Sequence, residues 1–188
     1  MIGRSLIAAF FAVATALAGG TAPAAAQGNT YNTNELIETG HKFFGSVSGG
    51  LATVIEKAAS RYGEPNGYIL GEEGGGAIIG GLRYGEGVMH TRDRGQHKVF
   101  WQGPSIGWDF GGDGARTMML VYNLPAVEAM YQRFGGVDGS VYFIGGFGMT
   151  ALAADNIVVV PVRAGVGLRL GANLGYLKFT RSATWNPF

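Results

Sequence analysis

Two periodicities divide the chain. Leu51, Val54, Ile55, Ala58 and Ala59 recur at helical spacing, which predicts a helix over 47–62 that stops at Gly63. Upstream, Asn34 followed by Glu35 and Glu38 reads as a capped helix start with acids in its first turn. That pattern runs to Phe44 and breaks at Gly45, and Glu64-Pro65-Asn66-Gly67 is turn chemistry. From Tyr68 the period falls to two. Strands are predicted over 68–73, 77–83, 85–91, 98–103, 106–110, 117–123, 140–152, 157–166 and 168–181. Arg92-Asp93-Arg94-Gly95 is a hairpin loop, and one inserted helix is expected over 126–134, with Pro125 at its start.

The alternation is clearest near the C-terminus. Val162, Ala164, Val166, Leu168, Leu170, Ala172, Leu174 and Tyr176 are apolar, while Arg163, Gly165, Gly167, Arg169, Gly171, Asn173 and Gly175 face the other way. The even positions are expected to share one core face, opposite a glycine-rich basic face. Glycines stacked on one face let a sheet curl tightly. No alternation of strand and helix and no internal repeat is present, so the fold expected is mainly β: a small, soluble, antiparallel β-barrel. Closure removes sticky edges, and the N-terminal helices pack on the outside. The expected division is a leader over 27–33, a helical segment over 34–63 and the barrel over 64–188.

The first residues have a different origin. Arg4 precedes the apolar run 6–18, and Ala24-Ala25-Ala26 supplies a small-residue cleavage site before Gln27. These are the parts of a secretory signal peptide, 1–26, and they predict export to the periplasm with cleavage near Ala26. The run is too short for a membrane-spanning helix, because Gly19, Gly20 and Pro23 interrupt it.

Composition sharpens this picture. Glycine accounts for 34 of 188 residues with no collagen period, and aromatics for 12%, which suits bent, closely packed strands. Charged residues are only 14% and hydrophobic ones 47%, so disorder is excluded. There is no cysteine, hence no disulfide or thiolate chemistry. Without Arg4 the chain balances 13 cations against 13 anions. A neutral total argues against nucleic acid as partner.

Little in the sequence suggests catalysis. There is no GxxxxGK[ST], HExxH or GxSxG, and Gly146-Phe147-Gly148 lacks the following helix that phosphate binding needs. His90 and His97 flank the hairpin loop, where a metal or phosphate between them competes with two solvated loop-end side chains. Asp109 and Asp113 lack the density of oxygen ligands that calcium takes, and read as a turn. No cofactor and no metal is expected. The one charge pattern of interest is basic: Arg83, Arg92, Arg94 and Lys98 around the hairpin, with Arg163, Arg169, Lys178 and Arg181 after the last acid, Asp155. Guanidinium forks suit phosphate or carboxylate headgroups, and Trp101 and Trp108 could seat a sugar or an acyl chain. Arg83, Arg92, Arg94, Lys98, Trp101, Trp108, Arg163 and Arg169 are therefore the candidate ligand-binding residues, provided their segments lie side by side. The alternative is a solvated outer face.

Ala58-Ala59-Ser60-Arg61-Tyr62-Gly63, followed by Gly67-Tyr68-Ile69-Leu70-Gly71-Glu72-Glu73-Gly74-Gly75-Gly76 and the C-terminal Gly-Arg alternation, resembles the alphaproteobacterial family of periplasmic envelope-integrity protein EipA. The likeness spans essentially the whole mature chain. It implies a small soluble β-barrel that maintains the cell envelope, with no enzymatic activity attached. More distantly, Gly80-Gly81-Leu82-Arg83-Tyr84-Gly85-Glu86-Gly87-Val88 and Trp101-Gln102-Gly103-Pro104-Ser105 are similar to motifs of the SYLF lipid-binding domain, which implies a lipid or anionic-headgroup ligand. The function expected is thus non-enzymatic support of envelope integrity, by binding an anionic lipid, an envelope glycan or an envelope protein. A small outer-membrane barrel, suggested by the aromatic Phe188, and an envelope hydrolase are the alternatives.

Overall fold

The computed structural model describes residues 28–46, 48–76, 82–104, 115–164 and 175–186. Helix α1 (Thr33–Phe44) starts two residues earlier than expected, because Asn32 and not Asn34 caps it. The Asn32 Oδ1 accepts from the Glu35 N–H at 2.9 Å, and Gly45, at a φ of 74°, closes the other end. Helix α2 (Gly49–Tyr62) is capped by Ser48 and stops at Gly63. Its glycine start has a packing reason: a Cβ at Gly50 would sit 2.6 Å from the Gly145 carbonyl oxygen.

Ten strands follow: β1 (Gly67–Gly76), β2 (Leu82–Thr91), β3 (Gly95–Pro104), β4 (Ala115–Tyr122), β5 (Arg133–Gly136), β6 (Tyr142–Ile144), β7 (Phe147–Met149), β8 (Leu152–Ala154), β9 (Ile157–Ala164) and β10 (Tyr176–Thr180). Eight of them close an antiparallel ring in the order β4-β1-β2-β3-β10-β5-β8-β9, with β9 returning to β4. The β6–β7 hairpin adds to the far half of β9. Thr150-Ala151 separates β7 from β8, opposite Pro161, which has no N–H to give the ladder; the Thr150 N–H reaches the Pro161 carbonyl at 3.3 Å instead.

The inserted helix predicted over 126–134 is a correction. Only Val127–Met130 forms a single 3-10 turn, and the chain then enters the ring as β5. Val127, Met130 and Phe134 do have helical spacing, but all three are buried in the barrel core from a turn and a strand. A strand there bridges β10 and β8, and the ring could not close without it. The strand expected over 140–152 is likewise broken, by Gly145 and Gly146 at φ 56° and 81°. The segments predicted as strands over 106–110 and 168–174, with 77–81 of the strand expected over 77–83, lie outside the described residues. The break expected between 83 and 85 is corrected: β2 runs unbroken because Gly85 keeps its place in the ladder opposite Glu73 and Trp101.

Two cores share the same strands. Ile69, Met89, Val99, Trp101, Met119, Val121, Val159, Leu177 and Phe179 point into the lumen with Phe134 and Leu152. Met118, Leu120, Tyr122, Val160 and Val162 point outward, beneath Leu36, Leu51, Val54, Ile55 and Ala58 of the helices. Val162 is therefore buried as expected, but under the helical cover and not in the lumen. Its neighbour Arg163, expected on the opposite basic face, points inward at 15% exposure. On β10 the inward residues are the odd ones, Leu177 and Phe179, and Tyr176 is on the outer wall. A single even-numbered core face is thus corrected to a sheet apolar on both sides along β4 and β9.

Candidate functional site

Among the described residues the lumen holds an apolar core of protein side chains. The Trp101 side chain enters it from β3 and is fully buried. Glycine makes this possible: a Cβ at Gly85 would overlap the indole, and one at Gly71 would lie 2.8 Å from its Cη2. The Trp101 Nε1 donates to Glu73 Oε2 at 2.9 Å, and Arg163 Nη2 donates to the same oxygen at 3.1 Å. Arg83 Nη1 stands 3.9 Å from the other carboxylate oxygen. Burial on its own would raise the Glu73 pKa. The guanidiniums of Arg163 and Arg83, with hydrogen bonds from Arg163 and Trp101, outweigh it and hold the carboxyl below its ordinary value. Glu73 is accordingly a fixed anion and an interior strut. No histidine is among its partners.

The candidate ligand residues are dispersed. Arg83, Arg163 and Trp101 meet in the lumen around Glu73. Arg92 and Arg94 sit at the β2–β3 hairpin tip, about 30 Å along β2 from Arg83. Arg92 forms an ion pair with Glu35, donates to the Thr30 carbonyl at 2.6 Å and stacks on Tyr31, so it ties the chain before α1 to the barrel. Arg94 pairs with Asp93 at 3.1 Å and donates to the Leu124 carbonyl at 3.4 Å. Lys98 is on the outer wall, 3.2 Å from Glu86. The single electropositive surface expected of these residues is therefore a correction, and its reason is strand alternation, which sends position 83 inward and 98 outward. Trp108 and Arg169 lie outside the described residues.

His90 stacks on Tyr68 at 4.8 Å, where burial lowers its pKa, and the His97 Nε2 lies 2.8 Å from the Arg94 carbonyl oxygen. Each has its own protein neighbour. Among the described residues no three His, Asp or Glu side chains are grouped to hold a metal.

A different group comes together on the outer wall, across the ring from the helices. Tyr131, Gln132 and Arg133 on one side and Lys178, Phe179, Thr180 and Arg181 on the other line an open groove of about 470 Å³. Lys178 is directly opposite Arg133 in the ladder. The Arg133 guanidinium lies over the Tyr176 ring at 4.4 Å, and that of Arg181 over Tyr131 at 4.6 Å. Arg181 is also 3.4 Å from Glu128. The tail then doubles back over the same wall: Tyr84 donates to the Trp185 carbonyl at 3.0 Å and Lys178 to that of Asn186 at 3.4 Å. Lys178 and Arg181 belong to the acid-free C-terminal run, whereas Tyr131 and Arg133 were hidden in the segment whose spacing mimics a helix.

Among the described residues, fold and site together define a small antiparallel β-barrel with an apolar core in its lumen, a helical cover on one side and a basic groove on the other. The model of the family described as Envelope integrity protein A matches residues 29–188, and the chain belongs to that family. It is similar to a solved structure, a beta-barrel-like, uncharacterised protein from Brucella abortus, at 60% identity and a TM-score of 0.80, with 85% of this chain and 99% of that one covered. No curated protein matches it.

Proposed function

We propose that the protein acts in the periplasm, after cleavage near Ala26, as a non-enzymatic binding protein that supports envelope integrity through an anionic lipid, a glycan or a protein of the envelope. The observation that carries this reading is the packing of protein side chains in the lumen among the described residues. Among the described residues Trp101 and the Glu73–Arg83–Arg163 cluster occupy the lumen, which supports a partner held outside it. Contacts with a partner then fall to the outer surface, where Arg133 and Arg181 stand on their tyrosines. The outer-membrane-barrel alternative fits less well: Lys98, Glu86, Arg133 and Lys178 on the outer wall would each be placed against hydrocarbon.

Four measurements test it. The mature N-terminus should be Gln27 or within a few residues of it, and osmotic shock should release the protein without detergent. A strain lacking the protein should lose resistance to envelope stress and regain it only with an exported copy. Rescue by a copy without residues 1–26 would overturn the reading, and turnover on glycan or lipid panels would restore the hydrolase alternative.

A further inference from the structure

We propose that the outer wall built by β3, β10 and β5, together with Trp185, docks on an anionic lipid leaflet; this rests on the envelope-partner reading above and names the partner. Two independent features point to it. The first is charge. Lys98, Arg133, Lys178 and Arg181 occupy this wall against Glu86 and Glu128, whereas α1 and α2 balance Glu35, Glu38 and Glu56 with Lys42, Lys57 and Arg61. Among the described residues this wall therefore carries two cations more than acids. The second is Trp185, which is 81% exposed and stands on Tyr84 of β2, next to β3 of this wall, while Trp101 is fully buried. An exposed indole beside cations is the pairing that seats proteins at a bilayer interface: the ring sits among the headgroups and the charges meet anionic lipid.

The arrangement also speaks against a small convergent anion site. Lys178 and Arg133 are paired within the ladder, whereas Arg181 lies just past the end of β10 and pairs with Glu128. The guanidiniums of Arg133 and Arg181 each lie over a separate tyrosine ring, not together at one point. Several headgroups in a plane satisfy such a spread, and one phosphate does not.

The test is cosedimentation of the processed full chain with vesicles of phosphatidylglycerol in phosphatidylcholine, against phosphatidylcholine alone. Binding is expected only with phosphatidylglycerol, falling as salt rises. Arg133→Ser with Arg181→Ser should weaken it on the order of thirtyfold, about fivefold per charge, with the melting temperature nearly unchanged. Arg133→Lys with Arg181→Lys should keep it, because a leaflet responds to charge more than to the guanidinium fork. The tryptophan emission of the wild type should shift to the blue on vesicles, and Trp185→Phe should abolish that shift. Equal binding to neutral vesicles, full binding by the serine variant, or competition by soluble glycerol phosphate at vesicle-equivalent concentration would each overturn the proposal. So would loss of binding in the lysine variant, which would indicate a fork-read small anion. A protein that ignores vesicles yet restores envelope resistance when exported removes the leaflet and leaves the proposed function standing. Rescue without export removes that function whatever the vesicles show.

Discussion

Glu73 accepts from an indole and a guanidinium through one oxygen and faces a second guanidinium with the other, all inside a closed ring. Removing its charge leaves two buried cations facing a neutral amide, so Glu73→Gln should destabilise by about 3–5 kcal/mol near neutral pH. The pH dependence has a definite sign. A carboxyl whose folded pKa lies below its ordinary 4.5 contributes stability that is present above that value and lost as pH falls through the lowered one. The gap between wild type and Glu73→Gln in thermal melts should therefore be widest above pH 4.5 and narrow below it. A constant gap across that range would mean that the carboxylate contributes packing and not charge. Gly85 gives a second residue-scale prediction. Gly85→Ala should cost about 1–3 kcal/mol by overpacking, and much less when Trp101 is already Leu, because the clash is with the indole. Additive losses would place the strain elsewhere. None of this pairing was legible in the sequence. Glu73 sits in a glycine run next to Glu72, and only closure of the ring tells an inward carboxylate from an outward one.

At the scale of elements, legibility followed the number of faces that a segment buries. The α1 and α2 pattern was readable because each helix hides one stripe, and both stops fell at the predicted glycines. Strands β1, β3 and β4 were found but begin or end a few residues away, as the ladder with their neighbours extends them. β5 was misread because Val127, Met130 and Phe134 meet the helical period while serving a turn and a strand. The face of β9 was misread because alternation between two apolar environments carries no sign of which is inside. Helix packing yields a prediction here. The Leu51 side chain is fully buried between Gly40 and the barrel, so Leu51→Ala should lose about 2–5 kcal/mol. Tyr122→Phe should be neutral or slightly stabilising: its hydroxyl is buried under α2 with no hydrogen-bond partner among the described residues. A large loss in the phenylalanine variant would mean that the hydroxyl is satisfied in solution.

For the whole molecule, the decisive fact is that β4 and β9 are shared. Met119, Val121 and Val159 fill the lumen from the same strands whose Met118, Leu120, Tyr122, Val160 and Val162 support the helices. These two strands pair with each other where the ring closes. Losing the helical cover exposes an apolar wall on both, and opening the ring removes the platform the helices need. The Arg92 contacts to Glu35 and the Thr30 carbonyl add a polar tie between the hairpin tip and the start of α1. The helices and barrel should therefore unfold as one cooperative unit and not as a cap shed from a persistent barrel. Helical ellipticity and the fluorescence of the lumen-buried Trp101 should report the same midpoint, with Trp108 and Trp185 replaced by Phe so that Trp101 alone emits. Leu51→Ala, a change wholly on the helical side, should lower both signals together, by about 2–4 °C for each kcal/mol lost. An ellipticity transition that precedes the loss of Trp101 signal would show that the barrel stands without its cover, and the outward apolar face of β4 and β9 would then have to be stable in water on its own.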